Sequence, residues 1–184
     1  ALVATSKKEN VPPRLLKNIF AWESQFWPET IFVNTFEFGL GHIAFNGADS
    51  TLHWDPGLYA EMCAATFSKE YCNEEYGYQP ANLRNSLQGV FVQKVNADCS
   101  NCRYNLDLDK AEESIPYFAK ALKANAAYVV YAIKVFSGKD AEDLVSDADL
   151  WRFTLASYNA GPGCYRSALS NTYYRGLELS WDNL

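Results

Sequence analysis

The chain has 184 residues, of which 48% are apolar and 15% aromatic, and its formal net charge is −6. This length fits one domain with a substantial core, and the apolar content excludes a disordered chain. The excess of acidic residues argues against nucleic acid as a partner, because the sequence has no basic stripe to neutralise phosphates. No apolar run reaches the roughly 18 residues of a membrane span.

The first predicted helix begins at Pro12-Pro13, since proline is tolerated where the first-turn amides have no helical partner. Apolar side chains then recur at helical spacing, and Pro28 is expected to end the helix. These side chains are Leu16, Ile19, Phe20, Phe26 and Trp27.

Glu23 is the acidic side chain that falls on this apolar face, four residues after Ile19 and three before Phe26. Burial disfavours the ionised form of a carboxyl, so we expect the pKa of Glu23 to be raised. A carboxylic acid still protonated near neutral pH is what glycosidic bond cleavage requires, because the leaving oxygen must receive a proton. Periodicity alone leaves a purely structural alternative open, namely a buried glutamate paired with an arginine or a glutamate at the edge of the apolar face.

Residues 31–38 alternate weakly and indicate a short hairpin strand, followed by a glycine-containing loop through Gly47. Caps and prolines then predict four further helices and a short one over 164–170. Their expected bounds are Asp55-Pro56 to Tyr71, Pro80 to Asp98, Asp109 to Ser137 before Gly138, and Asp147 through Tyr158 to Gly161-Pro162. Pro116 either kinks the longest helix or begins its second half. This pattern predicts an all-α fold, with at most one short hairpin.

Five cysteines occur, at positions 63, 72, 99, 102 and 164. Cys99 and Cys102 form a C-x-x-C, which is half of a zinc site, but the other half is not evident. Disulfides in an exported protein fit better, with the pairing left open. We therefore expect no metal and no cofactor, and a secreted, extracellular or cell-envelope location.

Three segments carry a family resemblance: Glu23-Ser24 at the helix end, Gly39-Leu40-Gly41-His42-Ile43 in the following loop, and the stretch Ala156-Ser157-Tyr158-Asn159-Ala160-Gly161-Pro162-Gly163. In this order they resemble the catalytic domain of soluble lytic transglycosylases, a branch of the goose-type lysozyme superfamily. The resemblance covers about residues 14–168 and implies a single lysozyme-like domain over 1–184. Residues 44–110, which carry cysteines, match the family only loosely.

The resemblance assigns roles residue by residue. Glu23 corresponds to the catalytic acid and base, and Ser24 to the serine that helps to orient the acid and the sugar. Tyr158 corresponds to the tyrosine whose hydroxyl approaches the catalytic carboxylate, and Asn159 to an asparagine near the sugar subsites. Gly39 and Leu40 begin the loop whose backbone faces the cleft, and Ile43 follows it as a further candidate for substrate binding.

The loop departs from the family pattern, because Gly41 and His42 stand where the family has methionine and glutamine. A neutral imidazole can donate and accept hydrogen bonds, as an amide does. His42 is therefore a candidate for binding an N-acetyl sugar, or for titrating and so modulating activity.

The implied reaction is cleavage of the β-1,4 bond between N-acetylmuramic acid and N-acetylglucosamine in peptidoglycan, with formation of a 1,6-anhydro sugar. A hydrolytic lysozyme or a chitinase-like glycosidase on the same scaffold is an alternative, and it would use a second carboxylate. Glu37 is the best candidate for that carboxylate, while Asp49 and Asp55 are weaker. The ordinary interpretation is a solvated loop charge for Glu37 and Asp49 and a helix cap for Asp55. A further alternative is a non-catalytic module that binds glycan or acts as a scaffold.

Several aromatic residues are candidates to stack on sugar faces, although such residues more often belong to a core or an interface. They are Trp27, Trp54 and Tyr78. Trp22, Trp151 and Phe153 are interpreted as packing residues. No acidic residue stands at a spacing from His53 that would indicate a functional pair, so we assign His53 no role. The expected partner is the glycan strand of peptidoglycan, and the oligomeric state is left open.

Overall fold

Eight helices and one two-stranded hairpin make up the computed structural model, which describes residues 1–27 and 36–184. The helices are α1 (Leu2–Glu9), α2 (Pro13–Glu23), α3 (Phe45–Trp54), α4 (Pro56–Thr66), α5 (Ala81–Val95), α6 (Leu108–Ser137), α7 (Asp147–Ala160) and α8 (Pro162–Tyr174). The strands β1 (Glu37–Phe38) and β2 (Ile43–Ala44) pair antiparallel. The predicted all-α fold with a short hairpin is confirmed. Most of the predicted strand over 31–38 lies outside the described residues.

Local signals place several helix ends where the sequence predicts them. The Asp55 carboxylate accepts the Leu58 amide at 2.9 Å and Pro56 occupies the first turn of α4, so this cap is confirmed. Gly138 ends α6 with a φ of 69°, and Gly161 ends α7 with a φ of 85°. Glycine suits both positions because a side chain disfavours positive φ.

Other predicted helix ends are wrong by a few residues. The caps of α6 and α7 are Asp107 and Ser146, whose side chains accept the amides of Lys110 and Asp149. The predicted caps, Asp109 and Asp147, lie two residues and one residue further on, within the first turn, where an acidic residue is favoured by the helix dipole and gives a similar sequence signal. Two more predicted ends are corrected, because α4 ends at Thr66 and α5 at Val95. Pro116 lies inside α6, so it does not begin a separate helix.

Helices α1 and α3 are not predicted from the sequence. Gly47 indicates a loop there but lies inside α3, where its carbonyl accepts the Thr51 hydroxyl at 2.7 Å. One face of α3 is fully buried through Ala48, Thr51 and Leu52. Tertiary packing of that face outweighs the low helix propensity of glycine, which costs about 1 kcal/mol.

The chain divides into two compact units, residues 1–123 and 124–184, and the boundary falls within α6. In the first unit, Phe20 packs edge-on against Phe118 with ring centroids 5.4 Å apart. In the second, Phe153 and Tyr165 are buried with centroids 5.9 Å apart. The prediction of a single lysozyme-like domain stays a prediction.

Four of the five cysteines form disulfides. Cys63 in α4 bonds to Cys72, nine residues later, and Cys99 bonds to Cys102 across the C-x-x-C. Cys164 is free and exposed. The predicted disulfides are confirmed, and the zinc alternative for the C-x-x-C is replaced by a sulfur–sulfur bond. Among the described residues, no helix combines the length and apolarity needed to cross a membrane.

Candidate functional site

Helix α2 ends at Glu23, four residues earlier than its apolar pattern predicts. The amides of Ser24 and Phe26 both donate to the Phe20 carbonyl, at 3.2 and 3.1 Å. Gln25 and Phe26 then adopt left-handed backbone conformations, with φ of 52° and 63°. Because these two residues turn the chain away from the helix axis, Glu23 lies in the final turn, where the helix dipole gives a carboxylate no stabilisation.

The four-residue loop between β1 and β2 holds the second motif. Gly39 has a φ of 71°, and a β-carbon there would collide with the Val95 carbonyl oxygen and lie 2.8 Å from the Phe118 ring. Glycine is therefore required both by the backbone conformation and by the space. Leu40 and Ile43 are buried, at 7% and 2% exposure, and anchor the two sides of the loop.

Ser24 joins the helix end to this loop. Its hydroxyl lies 3.0 Å from the Phe20 carbonyl oxygen and 2.8 Å from the Leu40 carbonyl oxygen, and it can donate to either. Ser24 is buried, so its hydroxyl bonds to backbone carbonyls of the protein and not to solvent. The structure thus brings the Glu23-Ser24 pair and the Gly39–His42 loop together through one serine side chain.

His42 faces Glu23 from the loop. Its Nδ1 lies 3.9 Å from a Glu23 carboxylate oxygen, beyond hydrogen-bond distance but close enough for a charge interaction when the imidazole is protonated. Both side chains keep about a quarter of their surface exposed, 25% for His42 and 23% for Glu23. The pair is therefore neither sealed in the core nor fully solvated.

The pKa of Glu23 is raised above its ordinary value of 4.5. Burial is the largest cause, a positive charge on His42 opposes it, and the negative charge of Glu37 adds to it. The direction predicted from the sequence is confirmed. The alternative of an arginine partner is not what the described residues show, since the ion-pair partner found there is His42, which is charged only when it is protonated.

The other candidate carboxylates differ in their surroundings. Glu37 is exposed at the start of β1, opposite Ala44, and its charge reaches Glu23. Asp49 lies within α3 and accepts hydrogen bonds from Tyr76 and Gln88, so the expectation of a solvated loop charge is wrong for it. Asp55 caps α4. Of these three, Glu37 is the one whose field acts on Glu23.

Exposed aromatic rings flank the end of α2 in the sequence. Trp22 is 85% exposed, so its interpretation as a packing residue is wrong, whereas Phe153 is fully buried as predicted. The exposure of Trp22 could have been predicted from helical geometry, because Trp22 lies about 160° around the helix from the buried Phe20. Trp27 is 39% exposed and contacts the Tyr104 ring edge-on at 6.1 Å.

The third motif lies in the second compact unit, at the end of α7. Tyr158 is half-buried and Asn159 is exposed. Ser157 is fully buried and donates to the Asn125 side chain at 3.0 Å. The serine hydroxyl therefore has a structural partner on α6.

Within residues 1–27 and 36–184, no group of three or more His, Cys, Asp or Glu side chains is arranged to hold a metal ion. Comparison with protein-family models found no match, and comparisons with curated proteins and with solved structures found none either. The resemblance to soluble lytic transglycosylases therefore rests on the three sequence motifs alone.

Proposed function

We propose that this protein is a peptidoglycan lytic transglycosylase in which Glu23 is the general acid and base. The observation that carries the proposal is the environment of Glu23. Its carboxyl is partly buried with a raised pKa, at the end of a helix, 3.9 Å from an imidazole and beside a loop with a family-like sequence. Partial burial keeps the acid protonated at higher pH, and partial exposure leaves it accessible to a substrate.

In the proposed reaction, the Glu23 carboxyl gives its proton to the oxygen that joins the two sugars, and the bond from that oxygen to the muramyl anomeric carbon breaks. The Glu23 carboxylate then removes the proton from the muramyl 6-hydroxyl, whose oxygen bonds to the same anomeric carbon. Glu23 ends protonated, and no water is consumed. The attacking hydroxyl belongs to the substrate, so its proximity lowers the entropic cost of attack.

Ser24 acts in this proposal as a positioning residue. Its hydroxyl, at 2.8 Å from the Leu40 carbonyl, holds the loop against the helix end and so fixes the position of His42 relative to Glu23. His42 tunes the acid, because its protonated imidazole lowers the pKa of Glu23 and its neutral form does not.

A hydrolytic glycosidase is the second candidate, and Glu37 is the observation in its favour. The Glu37 charge reaches Glu23 strongly enough to raise its pKa. An inverting hydrolase pairs an acid of raised pKa with an ionised base that activates water. Such an enzyme would act on peptidoglycan or on chitin with the same pair of carboxylates.

Product analysis distinguishes these functions. Purified peptidoglycan sacculi are incubated with the protein at several pH values, and the soluble fragments are examined by mass spectrometry. We expect muropeptides that end in 1,6-anhydro-muramic acid. Reducing ends would establish the hydrolase, and binding of sacculi without release would establish a non-catalytic module, so either result overturns the transglycosylase.

The roles that the resemblance gives to Tyr158 and Asn159 stay predictions, and Tyr158→Phe tests the first of them. Loss of one hydrogen bond to a charged group reduces turnover about tenfold to a hundredfold. The conservative substitution keeps the ring, so circular dichroism and the unfolding midpoint are expected to be unchanged. Undiminished turnover would remove Tyr158 from the proposed site.

Secretion to the cell envelope belongs to the same proposal. Disulfides persist in oxidising compartments and are rare in the cytosol, and this chain carries two. Peptidoglycan lies in such a compartment, so the cysteine chemistry and the proposed substrate point to the same place.

A further inference from the structure

A cavity of about 720 Å³ opens in the first compact unit, among residues of α3, α4 and the segment 73–78. Leu52, Tyr59 and Tyr76 line it and are buried. Trp54 and Tyr78 also line it, and Tyr78 is 76% exposed. The cavity contains none of the residues assigned to the Glu23 site, so any ligand it takes is a matter separate from the proposed glycan cleavage.

The wall formed by residues 73–78 is held in place although it contains only a single short 3₁₀ turn. The Cys63–Cys72 disulfide ties its beginning to α4. The Tyr59 hydroxyl donates to the Glu74 carbonyl at 2.9 Å, and the Gln79 amide donates to the same carbonyl at 3.1 Å. These constraints keep the cavity open without a ligand, which reduces the ordering cost of binding.

The two buried tyrosines form part of the cavity floor, and their hydroxyls have partners within the protein. The Tyr59 hydroxyl also accepts the Gln79 amide at 2.7 Å. The Tyr76 hydroxyl donates to Asp49 at 2.7 Å and accepts the Gln88 amide at 3.1 Å. Burial raises the pKa of both hydroxyls, so both stay protonated and the hydrogen bonds persist at neutral pH.

The permanent charges at the cavity are of one sign. Glu74 and Glu75 line it and are exposed, none of the described lining residues is a lysine or an arginine, and His53 is the one lining side chain among them that can become positively charged. Aromatic ring faces carry negative electrostatic potential, and the carboxylates add full negative charges to it. These negative charges repel an anionic ligand. A ligand rich in hydroxyl groups would have to displace existing partners in order to hydrogen-bond to the hydroxyls of Tyr59 and Tyr76.

We propose that this cavity binds an alkylated ammonium group, such as the trimethylammonium head of choline, on the rings of Trp54 and Tyr78 with Glu74 and Glu75 as counter-charges. The methyl groups of such a cation replace water against the apolar floor, while its charge is attracted by the ring faces. This combination of aromatic rings and carboxylates is the arrangement that recognises quaternary ammonium ligands in general.

Isothermal titration calorimetry of the full chain tests the proposal with choline, at low salt and about pH 8, where histidines as a class are neutral. The control ligand is the carbon isostere of choline, in which a tert-butyl group replaces the trimethylammonium group. We expect choline to bind and the neutral isostere to bind at least about tenfold more weakly, since it lacks the charge but keeps the shape.

Variants locate the binding. Trp54→Ala and Tyr78→Ala each remove a ring and are expected to weaken choline binding about 2- to 30-fold. The double variant Glu74→Gln, Glu75→Gln is expected to weaken it and to reduce its dependence on salt. Tyr71→Ala is the matched control, because Tyr71 is 60% exposed in the same unit but does not line the cavity.

Three results overturn the proposal. One is equal binding of choline and its neutral isostere, and another is choline binding that is unchanged in both ring variants. The third is a heat of binding with N-acetylglucosamine oligosaccharides, lost in Tyr78→Ala, in the absence of choline binding. Each variant is first checked by circular dichroism, and the exposed Tyr78 supplies a substitution that leaves the core intact.

Discussion

Two carboxylates in the first compact unit, Glu23 and Asp49, are both partly buried, but they are surrounded differently. Asp49 accepts two hydrogen bonds of 2.7 Å, from the Tyr76 hydroxyl and the Gln88 amide. Glu23 has an imidazole 3.9 Å away and a pKa raised mainly by burial. A buried carboxylate whose donors are in place stabilises the fold, whereas one that is desolvated and has no hydrogen-bond donor among the described residues is destabilised in its ionised form.

In the proposed function, this difference distinguishes Asp49, a structural acid, from Glu23, the catalytic acid. Groups whose pKa is shifted by desolvation concentrate at functional sites, because proton transfer near neutral pH needs them. The four predictions below change one member of this pair or its surroundings, so that stability and turnover respond separately.

The largest expected effect is on turnover in Glu23→Gln. The amide keeps the size of the side chain but carries no transferable proton, and general acid catalysis contributes about 10²- to 10⁴-fold. Release of soluble muropeptides from sacculi measures the loss. Asp49→Asn is the matched control and is expected to retain full activity per folded molecule. Retained turnover in Glu23→Gln would mean that the proposed acid is misassigned.

Stability responds in the opposite order. Asp49→Ala leaves the buried Tyr76 hydroxyl without its acceptor, which costs about 1–3 kcal/mol of unfolding free energy. Urea unfolding followed by circular dichroism measures it. Glu23→Gln is expected to leave the unfolding free energy at pH 7 unchanged or higher, because it removes a desolvated charge. A larger loss in Glu23→Gln than in Asp49→Ala would contradict the comparison.

The pH dependence of stability is a further test of the environment of Glu23. The folded-state pKa of Glu23 is raised, so between the ordinary value of 4.5 and the folded value the folded protein binds more protons than the unfolded chain. The contribution of Glu23 to stability is therefore fully present below 4.5 and is lost as pH rises through the folded pKa.

Unfolding of wild type and Glu23→Gln across a pH series tests this linkage. The stability of the variant relative to wild type is expected to increase with pH through that window and then to level off. A difference that stays constant, or that falls as pH rises, would show that the pKa of Glu23 is not raised in the folded protein.

The smallest expected effects come from the neighbours of Glu23. Glu37→Gln removes a negative charge and is expected to lower the pKa of Glu23, and His42→Asn removes a positive charge and is expected to raise it. Asparagine is chosen because His42 has a φ of 49°, which asparagine tolerates. The alkaline limb of the pH–activity profile should move by a few tenths of a unit in opposite directions, less at high salt. Shifts in the same direction would contradict the charge assignments.

The sequence predicts which residue types belong to the candidate site, but it does not predict the contacts between them. Helical periodicity places Glu23 on an apolar face and gives the direction of its pKa shift. The contact of Ser24 with the Leu40 carbonyl spans 16 residues, and no local pattern encodes it. The partners of Asp49 lie 27 and 39 residues away, so its appearance as a loop charge in the sequence is misleading.

The sequence by itself determined the helical class, the cap at Asp55-Pro56 and the stops at Gly138 and Gly161, because capping and positive φ are properties of a few consecutive residues. Tertiary structure decided that α2 ends at Glu23 and that α3 forms in spite of Gly47. It also decided which cysteines pair and that Trp22 is exposed. The reason is that burial and long-range hydrogen bonds depend on neighbours that are distant in the chain, and their free energies exceed the few tenths of a kcal/mol that typically separate local propensities.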